Sequence, residues 1–95
     1  MFLSKDLEDI FNRFIGQAST PGALDGRTKE LVALACSVMA DCVPCIEWHV
    51  NKAVELGATE DELSETLAIT MMVSAGSKRA KYSKLLDELR QTDRP

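Results

Sequence analysis

Glu30-Leu-Val-Ala-Leu-Ala-Cys36-Ser-Val-Met-Ala-Asp41-Cys42-Val-Pro44-Cys45-Ile-Glu-Trp48-His49 is the stretch on which the reading of this chain turns. All three cysteines, the single histidine and the single tryptophan of the sequence fall within it. Cys42 and Cys45 form a C-x-x-C, and His49 follows Cys45 by four residues. On a helix, residues so spaced share a face, with Cβ atoms about 5–6 Å apart. A thiol attacks as its thiolate, and a neighbouring base or positive charge promotes that form. One short segment therefore offers a redox pair together with a candidate activator.

Pro44 suits the first turn of a helix, where its missing N–H leaves nothing unpaired. The C-x-x-C is accordingly predicted at the N-terminus of a helix that carries Trp48, Val50, Ala53, Val54 and Leu56. Gly57 ends it as the residue past the C-cap. Unpaired N–H groups and the positive end of the helix dipole favour a thiolate at such a position. Upstream, Asp25 is a plausible N-cap for a helix running through Leu31, Leu34, Ala35 and Val38 to about Ala40. Its Leu31–Ala40 portion is apolar on nearly every side and needs cover nearly all round.

Further out, Phe2, Leu3, Leu7, Ile10, Phe11, Phe14, Ile15 and Ala18 recur at helical steps behind a Ser4 N-cap. This first helix, closed by turn chemistry at Ala18–Gly22, is expected to pack on its own fold, because it lacks the Lys/Arg-rich face of a membrane-surface helix. Thr59 and Glu62 make a capping box that starts a fourth helix, with Leu63, Leu67, Thr70, Met71 and Ser74 on one stripe. Gly76 is expected to mark a bend. A last charged helix should follow, with Ala80, Leu85, Leu86 and Leu89 inward and a frayed tail at Gln91–Pro95. Nothing alternates like a strand, so the predicted fold is all-α, one domain over residues 1–95, of about five helices.

The 95 residues suffice for one core with little spare interior. A net charge of −4 argues against nucleic acid as a main partner. No apolar run approaches the ~18 residues of a membrane span. The start Met1-Phe2-Leu3-Ser4-Lys5 lacks the basic opening and cleavage site of a signal peptide. An odd cysteine count does not suit a secreted disulfide scaffold, which points to the cytoplasm.

Several chemistries compete for the C-x-x-C. A thioredoxin-like motif needs a βαβ context that is missing. Haem attachment needs a histidine directly after the second cysteine, where Ile46 stands. A structural zinc takes about four ligands. Cys42, Cys45 and His49 supply three, with Cys36, Asp41 or Glu47 as a strained fourth. A redox-active helical dithiol needs no metal or cofactor, and it is the preferred reading. His49 is the candidate acid–base group. Glu30 reaches it only if the chain reverses near Asp41 and packs the two helices antiparallel; otherwise Glu30 is a solvated first-turn carboxylate. Cys36 reads as a small core residue. Trp48 reads as packing, and Met39, Met71 and Met72 as core or subunit contacts.

Glu30, Cys42, Cys45 and His49 together resemble the E…C-x-x-C-x-x-x-H signature of the carboxymuconolactone decarboxylase superfamily, in its alkylhydroperoxidase D-like (AhpD-like) branch. The flanks Leu24–Leu31 and Asn51–Ala58 agree, and the likeness spans roughly residues 22 to 76. The resemblance implies an all-α oligomeric domain, a hexamer, that reduces peroxides or disulfides in an antioxidant role. It also implies catalytic roles for Cys42, Cys45, His49 and Glu30. Cys45 takes the sulfenic intermediate, and Cys42 protonates the leaving oxygen and closes the disulfide. His49 draws the proton from Cys45, and Glu30 orients His49, directly or through a water. An external dithiol, a dihydrolipoyl group or a thioredoxin-like protein, restores both thiols. The fuller alkylhydroperoxidase D proteins are longer chains with a histidine between the cysteines, at the place held here by Pro44. Two alternatives belong to other classes: lactone decarboxylation, whose founding enzymes lack the cysteine pair, and a non-enzymatic, metal-binding oligomeric module. The apolar extent of Leu31–Ala40 and Leu67–Val73 predicts an obligate homo-oligomer in every case.

Overall fold

Helix α1 covers Lys5–Ser19, α2 Gly26–Met39, α3 Val43–Glu55 and α4 Glu60–Thr92 in the computed structural model, which describes residues 2–92. Their boundaries follow local chemistry. The Ser4 hydroxyl accepts from the Leu7 N–H, and the Asp25 carboxylate accepts from the Thr28 N–H at 2.7 Å. That bond holds the Asp25 carboxyl below the usual carboxylate range. At α4 the capping box is reciprocal: the Glu62 N–H donates to Thr59 Oγ1 and the Thr59 N–H donates to Glu62 Oε1, both at 3.1 Å. Gly57, at φ +95°, takes the left-handed conformation that ends α3 and costs a β-carbon dearly.

Packing centres on α2, which lies against α3 on one side and α4 on another. Leu34 and Ala53 are the fully buried apolar side chains among the described residues. Gly26 lets α2 start close to Leu56, whose Cδ1 would sit 3.3 Å from an added β-carbon. Arg27 Nη1 meets Glu62 Oε2 at 3.2 Å and ties the starts of α2 and α4. Both groups are partly exposed, so this pair contributes on the order of 1 kcal/mol or less. Ser37 and Thr70 are buried polar residues satisfied within their own helices, through the Ala33 and Thr66 carbonyls.

Four helices stand where about five were expected. Gly76 does not divide the chain into two helices, because α4 continues through it over 33 residues, about 50 Å. Glycine disfavours a helix by about 1 kcal/mol without blocking it, and no atom within 4 Å of its missing β-carbon forces a turn. The tail is helical as far as Thr92, and its residues 93–95 lie outside the described residues.

The first helix also departs from expectation. α1 buries no residue of its own, and its stripe of Leu7, Ile10, Phe11, Phe14 and Ile15 is exposed. It joins the body at a corner where Lys29 Nζ donates to the Ala18 and Thr20 carbonyls at 2.9 and 2.6 Å. Ala80, Leu85, Leu86 and Leu89, expected inward, are exposed, because the far half of α4 runs past the end of α2 and no helix among the described residues covers them. Met39, Met71 and Met72 are likewise exposed and form no core. The radius of gyration is 18.9 Å, against about 12 Å for a compact domain of this length.

Candidate active site

The sequence between α2 and α3 makes a tight reversal. Asp41 takes φ 56°, a left-handed conformation that aspartate tolerates better than most residues. The Asp41 N–H then donates to Val38, and the Cys42 N–H donates to Ser37 at 3.0 Å. This turn brings α3 back along α2 and places Cys42 as the N-cap of α3. Pro44 sits in the first turn, as its chemistry predicts.

Cys42 and Cys45 are joined in a disulfide with Cα atoms 5.3 Å apart. Cys42 Sγ also accepts the Cys45 N–H at 3.3 Å, so this sulfur occupies the place of a conventional cap oxygen. Both cysteines are partly buried. The helix end thus presents the Cys45 N–H and its positive dipole to the sulfur pair, which in reduced form would favour a thiolate.

His49 lies one turn beyond Cys45 on α3. Its Nδ1 stands 2.6 Å from Oε2 of Glu30, on the facing turn of α2. Glu30 is 16% exposed and His49 27%, so the contact is shielded from much of the solvent competition that weakens surface pairs. A carboxylate can only accept, which makes Nδ1–H the donor; a neutral ring then carries its lone pair on Nε2. The reversal at Asp41, on which the sequence made this contact conditional, brings Glu30 directly to His49, without a bridging water. Among the described residues no three His, Cys, Asp or Glu side chains converge as metal ligands would.

Two residues depart from their sequence reading, and a third, Lys29, had none. Cys36 is exposed rather than core, because it lines an open hollow between α2 and α4 that no element among the described residues closes. Trp48 is 60% exposed, with Lys52 Nζ 5.3 Å from its ring centroid, so it forms part of the surface of α3 rather than its packing. Lys29, unremarkable in sequence, stitches the α1–α2 corner beside Glu30. A lone lysine in a first helical turn carries no periodic or motif signal that could have singled it out.

An all-α scaffold that sets a vicinal-helix dithiol beside a histidine–glutamate pair defines a class of small helical thiol proteins. The chain matches the carboxymuconolactone decarboxylase family over residues 5–88, and it belongs to that family. It is 34% identical over 87 residues to an uncharacterised protein of the Paracoccus denitrificans cox locus, covering 92% of this chain and 78% of that one. Among solved structures, a protein of Methanobacterium thermoautotrophicum aligns with a TM-score of 0.81 at 31% identity, over 90% of this chain and 99% of its own. A carboxymuconolactone decarboxylase family protein of Thermotoga maritima aligns with a TM-score of 0.71 at 29% identity, over 96% and 97% of the two chains.

Proposed function

We propose that this protein is a thiol-dependent oxidoreductase of the alkylhydroperoxidase D-like branch, cycling Cys42 and Cys45 to reduce a peroxide or a disulfide. The observation that carries the reading is the Cys42–Cys45 pair at the start of α3, one helical turn from a histidine held by Glu30 at 2.6 Å. His49 Nε2 takes the proton of the Cys45 thiol while Nδ1–H stays bonded to Glu30. The Cys45 thiolate attacks a peroxide oxygen and the O–O bond breaks. The departing alkoxide takes the Cys42 proton, which leaves an alcohol and a sulfenic acid on Cys45. The Cys42 thiolate then attacks Cys45 Sγ and expels hydroxide, which the proton on His49 converts to water. The peroxide gains two electrons and the dithiol loses two. A sulfenic acid beside a resolving thiol condenses readily in this way.

With a disulfide substrate, Cys45 forms a mixed disulfide and Cys42 releases it by the same attack. An external dithiol, dihydrolipoyl or thioredoxin-like, returns the two electrons. The working form in this reading is a cytoplasmic homo-oligomer, a hexamer by resemblance. Lactone decarboxylation leaves the cysteine pair without a task, and a metal-binding module leaves Glu30 and His49 paired with each other instead of with an ion.

The test uses single-cysteine variants that also carry Cys36→Ala. With Cys42→Ser, limiting peroxide should leave a sulfenic acid or mixed disulfide on the Cys45 peptide, seen as a mass increase. With Cys45→Ser, Cys42 should oxidise slowly and turnover should vanish. Faster alkylation of Cys42 than of Cys45 near neutral pH would replace this scheme with one in which Cys42 attacks first.

A further inference from the structure

The face of α3 that carries Cys45 and His49 continues into two side chains that the redox scheme leaves without a task. Cys45, Trp48, His49 and Lys52 fall within about 100° around the helix axis. Ala53, which is fully buried, lies beyond the His49 edge of that sector, so Trp48 and Lys52 occupy its solvent side. Trp48 is uncovered, and Lys52 Nζ stands 5.3 Å from its ring centroid. Lys52 follows Cys45 by about 10 Å along the axis. The open side of the dithiol is thus bordered by an exposed indole and an ammonium group.

The charge at this border is unusual for its surroundings. Lys52 is the one lysine or arginine in the α3 sequence. On α2, Arg27 is held by Glu62, and Lys29 by the carbonyls of Ala18 and Thr20. Lys52 meets Glu55 at 3.3 Å, with the two side chains 41% and 64% exposed. So exposed a pair contributes little, and an anion arriving at the site can displace it. In a chain of net charge −4, attraction of an anion to the thiol needs such a local cation.

We infer that Trp48 and Lys52 form a substrate subsite, selecting disulfides or peroxides whose apolar body carries a carboxylate within about 10 Å of the reacting atom. The indole covers the apolar body and Lys52 pairs with the carboxylate. The inference rests on the redox reading of Cys45 and adds to it the charge of the substrate. With a symmetrical aryl disulfide, His49 takes the Cys45 proton, and the thiolate attacks one sulfur and expels an arylthiolate. Cys42 loses its proton to solvent and attacks Cys45 Sγ, expelling the second arylthiolate. The substrate gains two electrons and the dithiol loses two.

The first step is timed on full-length reduced protein carrying Cys36→Ala and Cys42→Ser, so that Cys45 is its one thiol. Two reagents are compared near neutral pH: dithiobis-nitrobenzoate, with a carboxylate on each ring, and uncharged dithiodipyridine. Lys52→Met should slow the first reagent about fivefold and leave the second within about twofold. Lys52→Arg should keep the preference for the carboxylate reagent. Lys81→Met, which removes the same charge from the far half of α4, should not change it. Trp48→Ala should slow both aryl reagents, by about threefold. A Lys52→Met variant that slows both reagents equally, or neither, overturns the inference. So does a Trp48→Ala variant as fast as its parent with both. The redox reading is judged apart from this, in protein carrying Cys36→Ala alone with the carboxylate reagent limiting. Two arylthiolates released per disulfide report closure of Cys42–Cys45, and one reports its failure; the reagent ratio at Cys45 stands in either case.

Discussion

The α2–α3 hairpin and the two outlying helical segments, α1 and the far half of α4, each carry apolar side chains at helical spacing and behave oppositely. In the hairpin, Leu34 and Ala53 are fully buried and Glu30 meets His49 across the interface. In the outlying segments, Phe14 is 66% exposed and Leu86 57%. Helical periodicity is satisfied in both, so periodicity alone does not decide burial. What separates them is whether the chain reverses within hydrogen-bonding reach, as it does at Asp41, or runs on. The Cys42–Cys45 pair and the Glu30–His49 contact sit in the self-supporting part, and the segments that lack internal support leave their apolar side chains exposed.

The hardest blow to this contrast should be Leu34→Ala. It opens a cavity at the meeting point of α2 with its neighbours and should cost about 2–5 kcal/mol, measured by urea unfolding. Leu86→Ala, on an exposed stretch of α4, should fall within about 0.5 kcal/mol. Equal losses for the two would mean that the far half of α4 is packed as firmly as the hairpin.

The site within the hairpin can be probed next. His49→Ala should slow the first oxidation of Cys45 by about a hundredfold, the low end for loss of a positioned base, and leave the final Cys42–Cys45 disulfide unchanged. Glu30→Gln keeps an acceptor for the Nδ1–H and should be milder, while Glu30→Ala should approach the His49→Ala rate. Stopped-flow oxidation of the reduced protein gives all three. A Glu30→Ala variant as fast as wild type would reduce that carboxylate to a structural role.

Within α4, Gly76→Ala should raise stability by about 0.5–1 kcal/mol, because a continuous helix gains from losing its glycine. Thermal unfolding that shifts downward would point to a bend at that position after all.

The smallest effect should come from the cap of α2. The Thr28 backbone N–H lowers the Asp25 pKa in the folded chain, so its contribution is complete above the unfolded carboxylate pKa of about 3.9 and is lost as pH falls through the folded value. Asp25→Ser keeps a cap acceptor without a titrating group. The acid limb of its stability curve should therefore be shallower than wild type between about pH 4 and 2, with little change at pH 7. An acid limb of unchanged slope would leave that bond without a thermodynamic role.

Much of the site was legible in the sequence because its parts are local. Cys42, Pro44, Cys45 and His49 lie within three turns, and helix geometry alone puts Cys45 and His49 on one face. The caps at Ser4, Asp25 and Thr59 were readable for the same reason, since each bond spans three residues. Glu30 was legible only as a condition: it could reach His49 if the chain turned back near Asp41. Cys36 was misread, because an apolar helix suggests a core and only the placement of α2 between α3 and α4 reveals which of its faces is left open.

Local hydrogen bonding and side-chain spacing thus determined, from sequence alone, that the chain is helical, where its helices begin, and that a dithiol sits at a helix start with a histidine one turn on. The tertiary structure decided that Glu30 touches that histidine, that α4 continues unbroken through Gly76, and that α1 stands away from the body. Those three depend on the left-handed turn at Asp41 and on which apolar faces find a neighbour. Both are properties of how helices meet, and periodicity within a single helix does not encode them.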